Sequence, residues 1–243
     1  MTRVPIGCGP VDDLLGGGFE SSAITLLYGE GGSGKTNICL QLARNVVIGG
    51  QKVIYVDSEG VSMDRFQQIC GSEKEFRKIA RETLFFQPMS EPQLMEAVKN
   101  SQKLVCKDLH IGLVVIDSAT VFYRMLGSGR DEEGRRDISQ MIVDLMEISR
   151  KQDIPVMATT QVYSMSGSEV RPIGGHALTH NCKTIIRLER LGEGGFRKAV
   201  LVKHRSQPTG CSAVFVLTGA GLEEVPESDR ELVPPSVAKA FIE

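Results

Sequence analysis

Hydrophobic and polar positions alternate in two rhythms along this chain, and the rhythm changes once. Up to about residue 183, short apolar runs are separated by stretches of helical spacing. Ile24–Tyr28, Val53–Asp57, Leu84–Phe86, Leu113–Asp117 and Pro155–Val162 are the apolar runs, and near-continuous runs of this kind suit strands buried on both faces. Between them, Asn37–Val47, Asp64–Ala80 with a break near Gly71, and Glu91–Lys107 read as helices. Ile138, Met141, Ile142, Leu145 and Met146 place an amphipathic helix before Pro155. From Thr184 the helices stop. Thr184–Glu189, Lys198–Lys203 and Ala213–Leu217 are strand-like, joined by glycine-containing turns at 192–195 and 208–210. The pattern predicts an α/β fold: a mostly parallel central sheet with helices on both faces, extended by antiparallel strands near the C-terminus. No linker rich enough in Pro, Gly or Ser divides the chain, so residues 1–243 are expected to form one domain.

Composition narrows the class. The chain has 243 residues, 41% of them hydrophobic, enough for a large core. No apolar run approaches the roughly 20 residues of a membrane helix, and the first residues carry no apolar signal region. The expectation is a cytoplasmic protein without membrane contact. The six cysteines form no C-x-x-C pair, so they are expected as small buried apolar residues. Net charge is −2, so any nucleic-acid contact must come from a local patch.

The candidate chemistry starts at Gly29-Glu30-Gly31-Gly32-Ser33-Gly34-Lys35-Thr36, which fits G-x-x-x-x-G-K-[ST] between a strand and a helix. Glycines let backbone N–H groups turn toward phosphate oxygens, and the helix N-terminus adds its positive end. Lys35 can reach the β- and γ-phosphates, and the Thr36 hydroxyl can ligate Mg²⁺. The alternative is a glycine-rich connecting turn, but the strand–loop–helix setting favours a nucleoside triphosphate.

Asp117 ends an apolar strand, where a carboxylate can hold Mg²⁺ through water; a plain strand-end acid is the alternative. Glu59, after the second strand, is placed to activate a water, or is part of a solvated turn. Gln161 could sense a γ-phosphate from the end of its strand. Lys203, His204 and Arg205 are either a solvated strand end or cations aimed at a neighbouring subunit's γ-phosphate. Residues 123–136, with Arg124, Arg130, Arg135 and Arg136, and residues 163–175, with Arg171, read as loops at the nucleotide edge. Such loops suit phosphate backbones, although Asp131, Glu132 and Glu133 interrupt the first, and plain surface loops are the alternative.

Taken in order, these motifs resemble the RecA/RadA recombinase superfamily over about residues 5–225. The residues that carry the resemblance are Ile6-Gly7-Cys8 with Leu14–Gly18, the phosphate loop, Tyr55–Gly60, Ile116–Thr120 followed by Tyr123-Arg124 and Ser128–Arg130, Thr160–Val162, and Pro172–Gly175. The resemblance implies a RecA-like P-loop ATPase core using ATP and Mg²⁺. It makes Glu59 the water-activating base and Asp117 the acid beside Mg²⁺. Arg65 would stack on adenine, His180 would contact a neighbour's nucleotide, and Arg130 and Arg136 would touch DNA. Lys203 and Arg205, before Pro208-Thr209-Gly210, look more like the trans-acting Lys-x-Arg of hexameric helicases of this superfamily. The implied function is a weak, DNA-linked ATPase that binds single- or double-stranded DNA and assists homologous recombination and repair. The RadA recombinase is an implied protein partner, beside weak self-association. Two alternatives stand beside it: a nucleotide-gated mediator that needs no hydrolysis, and a KaiC-like signalling ATPase without DNA.

The chain also departs from the recombinase pattern. The helix-hairpin-helix DNA-binding domain and the Phe-x-x-Ala linker strand are expected to be absent. Phe196-Arg197-Lys198-Ala199 fits that linker pattern but falls in a late strand. Gly127 stands where the first DNA loop has an aromatic, and the second DNA loop is short. These departures argue against strand exchange and stable filaments, not against ATP binding.

Overall fold

The computed structural model describes residues 2–107, 109–125, 131–164 and 170–232. A small ribbon comes first: β1 (Arg3–Val4) pairs antiparallel with β2 (Phe19–Glu20) around α1 (Gly9–Leu14). β3 (Ala23–Gly29) then leads through the glycine-rich loop into α2 (Lys35–Ile48). β4 (Lys52–Asp57), α3 (Met63–Cys70), α4 (Glu73–Arg81), β5 (Thr83–Phe86), α5 (Glu91–Val105) and β6 (Ile111–Asp117) follow. After α6 (Val121–Met125) and α7 (Asp131–Gln152) comes β7 (Pro155–Thr160). A hairpin of β8 (Val162–Ser164) and β9 (Val170–Pro172) precedes α8 (Gly175–Asn181) and β10 (Thr184–Arg190). β11 (Phe196–Lys203), β12 (Ser212–Thr218) and β13 (Gly221–Glu223) form a meander, and a short 3-10 turn spans Glu227–Leu232.

The central sheet has nine strands in the order β13-β12-β11-β10-β3-β7-β6-β4-β5. From β10 to β5 every pair is parallel; from β10 to β13 every pair is antiparallel. Side-chain alternation explains the layering. Val53, Tyr55, Leu113 and Val115 face one apolar cluster with residues of α1, α2, α3 and α4. Ile54, Val56, Val114 and Ile116 face the other, with residues of α5, α7 and α8. A strand buried on both faces has no polar rhythm, which is why these runs read as continuously apolar.

The interrupted helix at Asp64–Ala80 is two helices. Gly71 ends α3 at φ +86°, and Ser72 caps α4 by accepting the Glu75 N–H at 3.2 Å. Ser62 caps α3 in the same way, accepting the Arg65 N–H at 3.2 Å.

Four expectations need correction. The strand expected over Pro155–Val162 ends at Thr160, because the chain turns at Gln161 into β8. The segment 163–175 is not simply a loop: β-branched and aromatic residues at Val162, Tyr163 and Val170 build the β8–β9 hairpin, and Gly175 opens α8. Part of 123–136 is helical, since α7 starts at Asp131, and a run of acids suits a helix N-terminus. Cysteines are not all buried either. Cys8, Cys39, Cys70 and Cys182 are, but Cys106 at the end of α5 and Cys211 between β11 and β12 are exposed. Among the described residues no helix is long and apolar enough to cross a membrane.

Candidate nucleotide site

All the parallel strands end at one edge, and β3 delivers the glycine-rich loop there. The loop is shaped by close approach and by backbone conformation. A Cβ on Gly29 would lie 2.3 Å from the Leu188 carbonyl oxygen, so only glycine fits between β3 and β10. Gly34, at φ +105°, is the last residue before α2, and a Cβ there would meet Leu217 at 3.2 Å. Glu30, Gly31 and Gly32 are exposed, while Ser33 is buried and its Oγ has no hydrogen-bond partner among the described residues.

Lys35 is 7% exposed and folds back over the loop, donating from Nζ to the Gly29 carbonyl at 2.8 Å and the Glu30 carbonyl at 2.9 Å. Burial pulls its pKa below the ordinary lysine value, and the nearby charges of Glu59 and Asp117 oppose that pull. A buried ammonium needs such acceptors, and the two backbone carbonyls supply them. Thr36 follows it in the first turn of α2.

The neighbouring strand ends supply carboxylates. Asp117, 2% exposed, accepts hydrogen bonds from Tyr55 Oη at 2.8 Å and Thr159 Oγ1 at 2.5 Å. Burial, then the Asp117 charge, pushes the Tyr55 hydroxyl pKa well up, so Tyr55 stays a donor. Asp57, opposite Asp117 across the β4–β6 ladder, accepts the Gly60 and Val61 N–H groups at 2.8 Å each and shapes the turn that presents Glu59. Ser58 stitches β4 to β6: its Oγ donates to the Ser118 carbonyl and accepts the Ser118 N–H, both at 2.9 Å.

Glu59 itself is exposed, and its Oε1 accepts from Gln161 Nε2 at 3.2 Å. Gln161 joins two parts of the molecule. Its side chain meets Glu59, and its carbonyl accepts the Ile173 N–H at 2.9 Å at the base of the hairpin. Thr160 adds a second tie there, donating from Oγ1 to the Ile173 carbonyl at 3.1 Å.

Arg65 spans a separate gap. Its guanidinium donates to Asn37 Oδ1 at 2.6 Å, the Thr218 carbonyl at 2.7 Å and the Gly219 carbonyl at 3.1 Å, linking α2 and α3 to the β12–β13 turn.

Lys203 and Arg205 lie elsewhere. β11 runs antiparallel to β10, so Arg197 pairs with Arg190 at the phosphate-loop edge and Lys203 pairs with Ile185 near the other end. The two positions are about 20 Å apart at roughly 3.3 Å per residue. Lys203 Nζ donates to the Thr179 and His180 carbonyls at 3.3 and 2.9 Å, at the C-terminus of α8. Arg205 Nε donates to Glu20 Oε2 at 3.1 Å, and Arg3 reaches the other oxygen of Glu20 at 3.5 Å. The structure thus gathers His180, Lys203 and Arg205 at the amino end of the parallel strands, out of reach of the chain's own phosphate loop. Of the loop cations, Arg136 is exposed on α7 and Arg171 on β9. The Arg124 side chain and all of Arg130 lie outside the described residues, as does Gly127. Sequence reasoning missed the tethers of Arg205 and Lys203, because neither Glu20 nor the α8 carbonyls carry a local signal that points to β11.

A family model described as Rad51 matches residues 1–225. The chain belongs to the Rad51 family. It is 45% identical over 218 residues to the DNA repair and recombination protein RadB of Methanococcoides burtonii, covering 88% of this chain and 95% of that one. The protein of the same description from Archaeoglobus fulgidus is 38% identical, with 90% and 97% covered. A crystal structure of the RadB recombinase superposes with a TM-score of 0.80 at 34% identity, covering 92% of this chain and all of that one. The RecA-like fold read from the sequence motifs is therefore correct, and the family is a nucleotide-binding one.

The donor set fits such a ligand. Buried, mutually bonded oxygens at Asp117, a hydroxyl at Thr36 and a glycine cradle are the hard-oxygen and backbone groups that Mg²⁺ and phosphates take.

Proposed function

We propose that the chain is a DNA-linked ATPase of modest activity that assists homologous recombination and repair, the role carried in the names of its relatives. One observation carries the reading: Lys35, Glu59, Asp117 and Gln161 converge at one strand edge, and Gln161 connects that edge to the β8–β9 hairpin.

In this reading the loop N–H groups, Lys35, Thr36 and Asp117 hold magnesium and ATP, with the metal neutralising phosphate charge. Arg65 lies against the adenine, at the gap between α3 and the β12–β13 turn. Glu59 orients the attacking water and takes its proton, and Lys35 stabilises charge that develops on the phosphoryl oxygens. Gln161 holds Glu59 through its amide and reports the γ-phosphate to the hairpin through its backbone. His180, Lys203 and Arg205 serve a neighbouring subunit's nucleotide. DNA is held by the basic residues Arg124, Arg130, Arg136 and Arg171. Partners are DNA and a recombinase of the same family.

The test is DNA binding with and without ATP across a salt series, together with turnover with and without single-stranded DNA. With about two to four phosphates neutralised, log affinity should fall against log salt with a slope of about −2 to −4. Replacing Arg136 and Arg171 by alanine should flatten it. Binding that ignores salt, or no binding at low salt, would overturn the DNA part of the reading.

A further inference from the structure

Arg197 opens β11 at the phosphate-loop edge and reaches back over the loop. Its Nε donates to the Gly32 carbonyl at 3.1 Å, and its Nη1 donates to the Phe196 carbonyl at 2.8 Å. Side-chain packing does not hold the apex of the loop, since a Cβ on Gly31 or Gly32 would meet nothing within 4 Å. Gly32 also sits at φ +75°, a conformation glycine adopts without steric cost. A peptide's N–H and C=O point in opposite directions when it is trans, as the Gly32–Ser33 peptide is. Holding the Gly32 carbonyl toward Arg197 therefore turns the Ser33 N–H the other way, into the loop, where it meets the Glu30 carbonyl at 3.2 Å. A charged donor on the carbonyl also polarises that N–H.

Charge adds a second observation. Arg197 stands directly opposite Arg190 in the β10–β11 ladder. Like charges placed this way repel. Burial, and then the Arg190 charge, lower the Arg197 pKa. A polyphosphate beside the loop would offset that like-charge repulsion.

We propose that Arg197 is a positioning residue of the phosphate loop, holding the Gly32–Ser33 peptide so that the Ser33 N–H faces the nucleotide's phosphates without itself touching them. This rests on the nucleotide reading above. Loop N–H groups cradle the α- and β-phosphates, so the role predicts an effect shared by di- and triphosphate.

The experiment is calorimetric titration of the full chain with ATP and with ADP in magnesium, for wild type, Arg197→Ala, Arg197→Lys and Lys35→Ala, with thermal melting of each nucleotide-free protein. Arg197→Ala should bind ATP and ADP equally more weakly, by about tenfold for one charge-assisted bond. Arg197→Lys, which keeps a charged donor, should recover most of that loss at an unchanged melting temperature. Wild-type affinities in Arg197→Ala would overturn the proposal. So would a loss confined to ATP, which would mean direct γ-phosphate contact, or a loss in both variants that tracks a lowered melting temperature. If wild type binds and Lys35→Ala does not, a silent Arg197→Ala refutes this inference alone; if wild type binds neither nucleotide, the nucleotide reading falls with it.

Discussion

The two ends of the parallel strands hold their polar groups differently. At the carboxyl end Lys35, Asp57 and Asp117 are each less than a tenth exposed: Lys35 and Asp57 bond the backbone of their own adjoining loops, and Asp117 accepts from side chains of the neighbouring strands β4 and β7. At the amino end Arg205 and Arg3 are about 30% exposed and share a single buried carboxylate, Glu20. Buried electrostatic contacts act through low dielectric, whereas half-exposed ones are screened and cheap to exchange. The carboxyl end is thus assembled within one chain, while the amino end keeps cations that can change partner. Glu20 competes with any outside anion for Arg205.

The comparison can be broken most sharply at Lys35. Lys35→Ala should cost about 5 kcal/mol of transition-state stabilisation, or roughly 10⁴-fold in kcat/KM, with the fold kept by circular dichroism. Near-normal turnover would mean that the carboxyl end is not the working site.

Glu59→Gln should bind ATP normally in titration yet hydrolyse it about 10²–10⁴-fold more slowly. Unchanged turnover would reduce Glu59 to a solvated turn. A wild type without measurable hydrolysis would favour the mediator reading.

Arg205→Ala should lower hydrolysis by about 10³-fold, but only at concentrations where subunits associate. Turnover measured against protein concentration, with light scattering in parallel, separates the cases. Equal loss in a strictly monomeric sample would contradict a trans role, since the strand geometry keeps Arg205 from its own loop.

The smallest effect is structural. Tyr55→Phe removes one of the two side-chain donors to the buried Asp117 carboxylate and should cost about 1–3 kcal/mol, read by denaturant unfolding. The ring contact with Phe85, at a 5.3 Å centroid separation, should survive. No change in stability would show that water replaces the Tyr55 hydroxyl, and that this end is less dry than its burial implies.

Legibility differed between the two ends for a physical reason. The phosphate loop could be read residue by residue because its chemistry is local: glycine, lysine and threonine must follow one another on a strand–turn–helix. Asp117 and Glu59 were legible as strand ends because the apolar runs before them are continuous. Lys203 and Arg205 stood out as a basic cluster, but nothing local said which edge they occupy. That depends on β11 running antiparallel to β10. The β8–β9 hairpin was missed because its strands are three residues each and flanked by glycine and serine, where a loop reading is natural. Arg197 was visible only inside the Phe196–Ala199 pattern of a late strand, and nothing local pointed it at the phosphate loop.

The main strands and helices of the parallel sheet, the change to antiparallel strands after it, and the phosphate loop with its candidate carboxylates could all be read from the sequence alone. These follow from periodicity and from contacts between near neighbours in the chain. Only the tertiary structure decided that Gln161 meets Glu59, that Tyr55 and Thr159 hold Asp117, that Glu20 holds Arg205, and that Arg197 reaches Gly32. Each of those contacts joins residues that are distant in sequence. Strand order and direction bring them together, and no local propensity encodes them.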